Sequence, residues 1–100
     1  MKPNKSKLAE HKAQQALDVR RKSIDAIDRK VMRLLAERFR HVTAVGKIKK
    51  SAGLPVVNKK REGEVVRKLL SYSRLSQKFV KDFYRLILRE AYQLEKTDNA

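Results

Sequence analysis

Apolar residues recur at three- and four-residue steps through most of the chain. Between Ser23 and Lys50 they fall at Ile24, Ile27, Val31, Leu34, Leu35, Val42, Val45 and Ile48, a stripe on one face of a long helix with no strand-like alternation. Gly46 is the only blemish inside it, and Gly53 and Pro55 end it as helix enders do. Continuous from Asp18, such a helix spans roughly 45–50 Å at about 1.5 Å per residue. A lone helix of that length cannot bury its stripe by itself, so it needs a partner helix. Asn58 is placed to cap a second helix from about Lys59 to Tyr72, with Val65, Val66, Leu69 and Leu70 as its buried face. Ser76 is placed to cap a third, running to about Lys96, with Leu75 and Val80 spaced as a hydrophobic staple. Its expected buried face is Phe79, Val80, Phe83, Leu86, Ile87 and Ala91. The pattern is all-α: three helices, long, short and medium. Residues 1–7 carry no apolar period and read as a basic flexible tail, which leaves one helical domain over residues 8–100.

Composition narrows the class. The chain has 100 residues, 26 Lys or Arg against 11 Asp or Glu, and a formal charge of +15. That length allows one domain, and one too small to bury much of its apolar surface alone, so oligomerisation is expected. There is no cysteine, which excludes disulfide scaffolds, thiolate zinc sites and thiol nucleophiles. No clustered ligand set points to a metal or a cofactor. No apolar run reaches membrane-spanning length and the start lacks a signal-like stretch, so a cytoplasmic protein with no membrane partner is expected. Three Gly and two Pro give too little turn chemistry for a hairpin-rich fold.

Charge within the long stripe changes the picture most. At about 100° per residue, Arg38, Val42, Val45 and Lys49 share one face. Arg38 therefore stands where an apolar side chain belongs. A cation there is costly unless it snorkels to the rim, pairs with a carboxylate such as Glu62, or serves an anionic ligand. Arg61 lies in the first turn of the second helix, where a cation opposes the helix dipole. Glu95 continues the Phe83, Ile87, Ala91 face as an acid at the end of an apolar stripe, or else sits in water at a frayed end. Arg38 and Lys49 are about 16 Å apart along the axis, within joint reach of one small anion. Arg21 is about 25 Å from Arg38 and cannot join them within one straight helix. To serve the same site it must come from a second subunit. His11 and His41 lack a second ligand or acid partner, and Tyr72, Tyr84 and Tyr92 read as packing residues with wet hydroxyls.

Taken in order, these residues resemble the all-helical chorismate mutase family. The resemblance rests on I-D-x-I-D at Ile24 to Asp28, L-L-A-E-R at Leu34 to Arg38 and V-G-K-x-K at Val45 to Lys49. It continues through G-x-P-V at Gly53 to Val56 and the pair Arg61 and Glu62, and covers about Asp18 to Glu95. It implies an intertwined helical homodimer that converts chorismate to prephenate, a step of aromatic amino-acid biosynthesis, by a [3,3] rearrangement without metal or cofactor. It further implies that Arg38, and Arg21 of the second subunit, hold the substrate carboxylates. Lys49 would donate to the ether oxygen, Arg61 would add positive charge, and Glu62 would accept from the ring hydroxyl. Val45 and Val65 would be apolar walls. Three positions depart from the usual pattern. Asn58 stands where an Asp is common, Ala91 where a small hydroxyl residue is frequent, and Glu95 where many relatives have Gln. An ionised Glu at that last position cannot donate to an ether oxygen.

Three other readings stay open. An isochorismate pyruvate lyase shares the fold and the use of cations at an ether oxygen, although the V-N-K-K-R-E segment looks more mutase-like. A basic nucleic-acid binder is suggested by the charge, but no helix-turn-helix, zinc-finger or stacking signature accompanies it. A non-catalytic helical dimer would leave Arg38, Lys49, Arg61 and Glu62 without a reason to coexist.

Overall fold

The computed structural model describes residues 2–97, with side chains described for 6–96. Its helices are α1 (Lys2–Ala52), α2 (Lys59–Tyr72) and α3 (Gln77–Thr97), with no strand among the described residues. The all-α expectation and the order long, short, medium hold. The chain divides into two units, residues 1–36 and 37–100.

In the first unit α1 begins at Lys2, so the segment expected to be a tail is helical from its second residue. Pro3 does not prevent this, because the first turn of a helix has no acceptor for its N–H groups. The lysines, alanines and glutamines that follow favour helix without needing an apolar stripe. Among side chains 6–36 only Leu35 is even half-buried. Ile24, Ile27, Val31 and Leu34 are all exposed, Ile27 by 54%. The stripe is there, and nothing in its own unit covers it.

The second unit packs the end of α1, α2 and α3 together. Local chemistry fixes its boundaries. Gly53 takes φ 67°, its N–H donates to Lys50 O at 3.3 Å, and the Leu54 N–H donates to Lys49 O at 2.8 Å. Together these close α1 with two carbonyls satisfied. The Asn58 side chain accepts from the Arg61 N–H at 3.0 Å and Ser76 Oγ from the Phe79 N–H at 3.1 Å, the two expected N-caps. The buried core is Val80, Tyr84, Ile87 and Ala91 on α3, spaced four, three and four residues apart along one face. Gly46 lets α1 approach α3: a Cβ there would stand 3.0 Å from Glu95 Cα.

Two expectations about burial need correction. Phe79 and Leu86 are 54% and 59% exposed, because each lies one residue before a core position and so points about 100° away from it. With Phe83 they line an open groove, the Phe79 and Phe83 rings stacking at 6.0 Å. Leu75 is exposed as well, so no staple is buried at the start of α3. On α2, Val65, Val66, Leu69 and Leu70 are half-buried. Among the described residues no helix is long and apolar enough to cross a membrane.

Candidate active site

Within residues 37–100 the three helices and the α1–α2 link enclose a cleft of about 180 Å³. Arg38, Val45 and Lys49 reach it from α1; Asn58, from the link, and Arg61, Glu62 and Val65 from α2; Ala91 and Glu95 from α3. Nine of the ten residues expected at the site from sequence therefore line one cleft. The tenth, Arg21, is exposed in the first unit and does not line it. Periodicity explains the convergence: eleven residues bring Arg38 and Lys49 back to the same helix face, and the cap at Asn58 starts α2 where Glu62, half-buried, and Arg61, exposed, border the cleft.

Lys49 is the most constrained cation. Its ammonium donates to Val56 O at 2.7 Å and to Glu95 Oε1 at 2.7 Å. An ammonium carries three donors, so one is left for a molecule in the cleft. Glu95 does not fray into water: its side chain is 6% exposed, and it forms an ion pair with Lys49. Breaking one partner of such a pair strands the other, at a cost of about 3–5 kcal/mol. The Glu95 oxygen engaged by Lys49 acts as an acceptor.

Arg38 is different. Glu62, its expected counterpart, pairs with Lys59 at 3.6 Å, and among the described residues no carboxylate lies within ion-pair distance of Arg38. It is a half-buried guanidinium facing the cleft, which is an arrangement that an anionic ligand would complete. Asn58 spends its oxygen on the α2 cap, which leaves its amide N–H groups as the donors it can offer.

Five lining residues were not expected at the site, and two of them, Tyr84 and Tyr92, carry hydroxyls. Tyr84 is buried to 4% exposure. Burial is the main cause holding its hydroxyl above the usual tyrosine range; Glu62 adds to it, while Arg38 and Arg61 oppose it. Tyr92 reaches across from α3 and donates its hydroxyl to Glu62 Oε2. That hydrogen bond, with burial second, pushes its pKa up to about 12. Neither hydroxyl is wet in the sense expected. The signal available in sequence was spacing: Leu88, Tyr92 and Glu95 form a second α3 stripe next to the core stripe. Val42, Val56 and Leu88 supply apolar wall.

The family model described as chorismate mutase type II matches residues 20–96. The chain is 35% identical to a bifunctional chorismate mutase/prephenate dehydratase of Aquifex aeolicus, over 76% of this chain and 23% of that protein. It is 34% identical to a T-protein of Haemophilus influenzae, over 81% of this chain and 22% of the relative. It thus spans under a quarter of the length of these curated relatives. A chorismate mutase (form II) structure from Thermus thermophilus superposes with a TM-score of 0.77 at 28% identity, covering 81% of this chain and 94% of that one.

Proposed function

We infer the function from one premise: the chain belongs to the chorismate mutase type II family. The activity proposed is the rearrangement of chorismate to prephenate, in which the ether C–O bond breaks as a new C–C bond forms within one molecule. No group is transferred to the protein, so the site needs neither nucleophile nor electron carrier. It must hold a dianion in its folded conformer and stabilise the charge that grows on the ether oxygen.

The observation that carries this reading is the pairing of an uncompensated Arg38 with an ammonium at Lys49 that keeps one donor unspent in the same cleft. In the proposed complex Arg38 holds a carboxylate in a bidentate grip. Lys49 aims its third N–H at the ether oxygen, and because Val56 O and Glu95 already fix its position, little reorganisation is needed as charge develops. Arg61 adds positive potential at the mouth. Glu62 accepts from the ring hydroxyl, Asn58 donates nearby, and Val45, Val65 and Ala91 form apolar wall. Glu95, as the partner of Lys49, acts by orienting that ammonium.

The chain is proposed to work as a homodimer in which Arg21 of one copy completes the cleft of the other. The exposed stripe of Ile24, Ile27, Val31 and Leu34 supports this, as does the charge balance. With Arg21 added, four cations face two carboxylates, which matches a substrate carrying two negative charges. The test is chorismate consumption by purified protein with the product identified. Prephenate supports the reading. Chorismate left intact while isochorismate yields salicylate and pyruvate would replace it with the lyase, and salt-sensitive DNA binding with neither activity would replace it with a nucleic-acid function.

A further inference from the structure

Glu62 is half-buried at the start of α2, and a carboxylate at the end of a glutamate side chain turns through a broad terminal torsion. Left to itself it can swing toward Lys59, Arg61 or the cleft. The Lys59 ammonium does not fix it: the contact is 3.6 Å long and the lysine side chain is 83% exposed, the kind of ion pair that solvent screens. The group that does fix it comes from the other wall. Tyr92 sits on α3 in the stripe shared with Leu88 and Glu95, and its hydroxyl donates to Glu62 Oε2. Thirty residues separate the two in sequence, so this hydrogen bond joins α2 to α3 at the lining of the cleft.

We propose that Tyr92 is a positioning residue: by donating to Glu62 Oε2 across the cleft it holds that carboxylate with its remaining lone pairs toward the ring hydroxyl of the substrate, and so makes the site selective for substrates that carry the hydroxyl. The proposal rests on the mutase reading and adds to it a residue and a specificity. Tyrosine suits the task because its ring places the hydroxyl through only two side-chain torsions, and its phenol is both donor and acceptor. A carboxylate accepts several hydrogen bonds at once, so Tyr92 and a substrate hydroxyl can share Glu62 without competing. The phenol stays protonated, and hence a donor, across any pH at which the enzyme would work. A site that reads a hydroxyl through a fixed acceptor discriminates against the analogue lacking it, because the acceptor is then left without its partner.

The experiment compares wild type, Tyr92→Phe, Glu62→Leu and the double variant on two substrates: chorismate, and the analogue with hydrogen in place of the ring hydroxyl. Wild type is expected to prefer chorismate by tenfold or more in kcat/KM. Tyr92→Phe should lose about tenfold on chorismate, mainly as a raised KM, because a hydroxyl contact is made equally in ground and transition states. The same variant should leave the analogue nearly unchanged. In the Glu62→Leu background, which has no oxygen left to accept, adding Tyr92→Phe should cost no more than about twofold on chorismate, the non-additivity expected of residues acting as a unit. Equal losses on both substrates, or full additivity in the double variant, would mean that Tyr92 only packs, and would overturn the proposal while leaving the mutase reading in place. A wild-type protein that turns over neither compound removes the mutase reading itself. Should Tyr92→Phe not fold, the Glu62→Leu arm decides through the selectivity it abolishes or keeps, and the Cζ resonance of Tyr92 at neutral pH, which must move on Glu62→Leu, decides the contact.

Discussion

Residues 37–100 bury a continuous α3 stripe of Val80, Tyr84, Ile87 and Ala91, whereas among side chains 6–36 only Leu35 reaches even half-burial. Both regions are helical and both carry an apolar face, so secondary structure is not what separates them. The second region has other helices of its own chain to pack on; the first has a stripe of Ile24, Ile27, Val31 and Leu34 left to water. Burying one such side chain is worth about 1.5–3 kcal/mol, and most helical stability in proteins comes from packing of this kind. The first region thus carries an apolar face that nothing in its own unit covers, the face proposed above to meet a second copy, while the second already holds a cleft with its polar groups arranged.

The hardest test of the contrast is to put charge on the exposed stripe. Ile24→Asp with Ile27→Asp changes two residues that are already solvated in the single chain and that do not line the cleft. If the first region were only surface, little would happen. The expected result is loss of the dimer by sedimentation, with activity falling to background. Unchanged mass and activity would break the contrast.

Next in size is complementation. Arg21→Ala and Lys49→Ala should each lose about 10²–10³ in turnover, the effect of removing one charge-stabilising donor. Mixed and allowed to exchange subunits, the two inactive proteins should regain roughly a quarter of wild-type activity, since about half of the dimers are mixed and each has one intact site of two. No recovery on mixing would place Arg21 outside the partner's cleft.

What could be read from the sequence, and what could not, follows the same division between local and distant causes. Gly53, Asn58 and Ser76 end and begin helices through contacts no more than five residues long, so the boundaries were legible. The shared face of Arg38 and Lys49 follows from helical period alone, as does the single face on which Ile24, Ile27, Val31 and Leu34 lie. The Lys49–Glu95 pair spans forty-six residues, and no spacing rule gives the rotation of α3 about its axis. That rotation buries Val80 and not Phe79, and it turns Tyr92 onto Glu62. Because α3 is apolar over two adjacent faces, its sequence fits either choice. The helical start at Lys2 was missed because propensity without a stripe leaves no periodic mark.

Gly46 tests how finely the second region is fitted. A methyl group there meets Glu95 Cα at 3.0 Å and Cγ at 3.2 Å, and backbone cannot swing aside as a side-chain end does. Gly46→Ala gains helix propensity of about 1 kcal/mol, yet overpacking of this kind costs about 1–3 kcal/mol. We expect a net loss of stability on urea unfolding, with turnover reduced further than stability because Lys49 follows Glu95. The corresponding change in the first region, Ala26→Leu on an exposed turn, should stay within about 0.5 kcal/mol if that face is free. A larger loss would show that the partner covers it.

The smallest effect is a pH dependence that belongs to the second region alone. Tyr92 holds its proton to about pH 12 because Glu62 accepts its hydrogen bond and burial disfavours the phenolate, whereas an unfolded tyrosine releases it near 10. The folded state therefore binds the proton more tightly. Between those values the unfolded chain carries fewer protons, and stability falls as pH rises. The contribution is complete below about pH 10 and lost toward pH 12. Lysines titrate in the same window and mask it in wild type alone, so the measurable quantity is the difference between wild type and Tyr92→Phe on urea unfolding. Below pH 10 that difference should be about 1.5–3 kcal/mol, the range of a hydrogen bond to a charged acceptor. It should shrink steadily above pH 10, because the phenolate can no longer donate and repels Glu62. A difference that stays level to pH 11.5 would mean the hydroxyl bond contributes nothing to stability, and that the second region is held together by α3 packing alone.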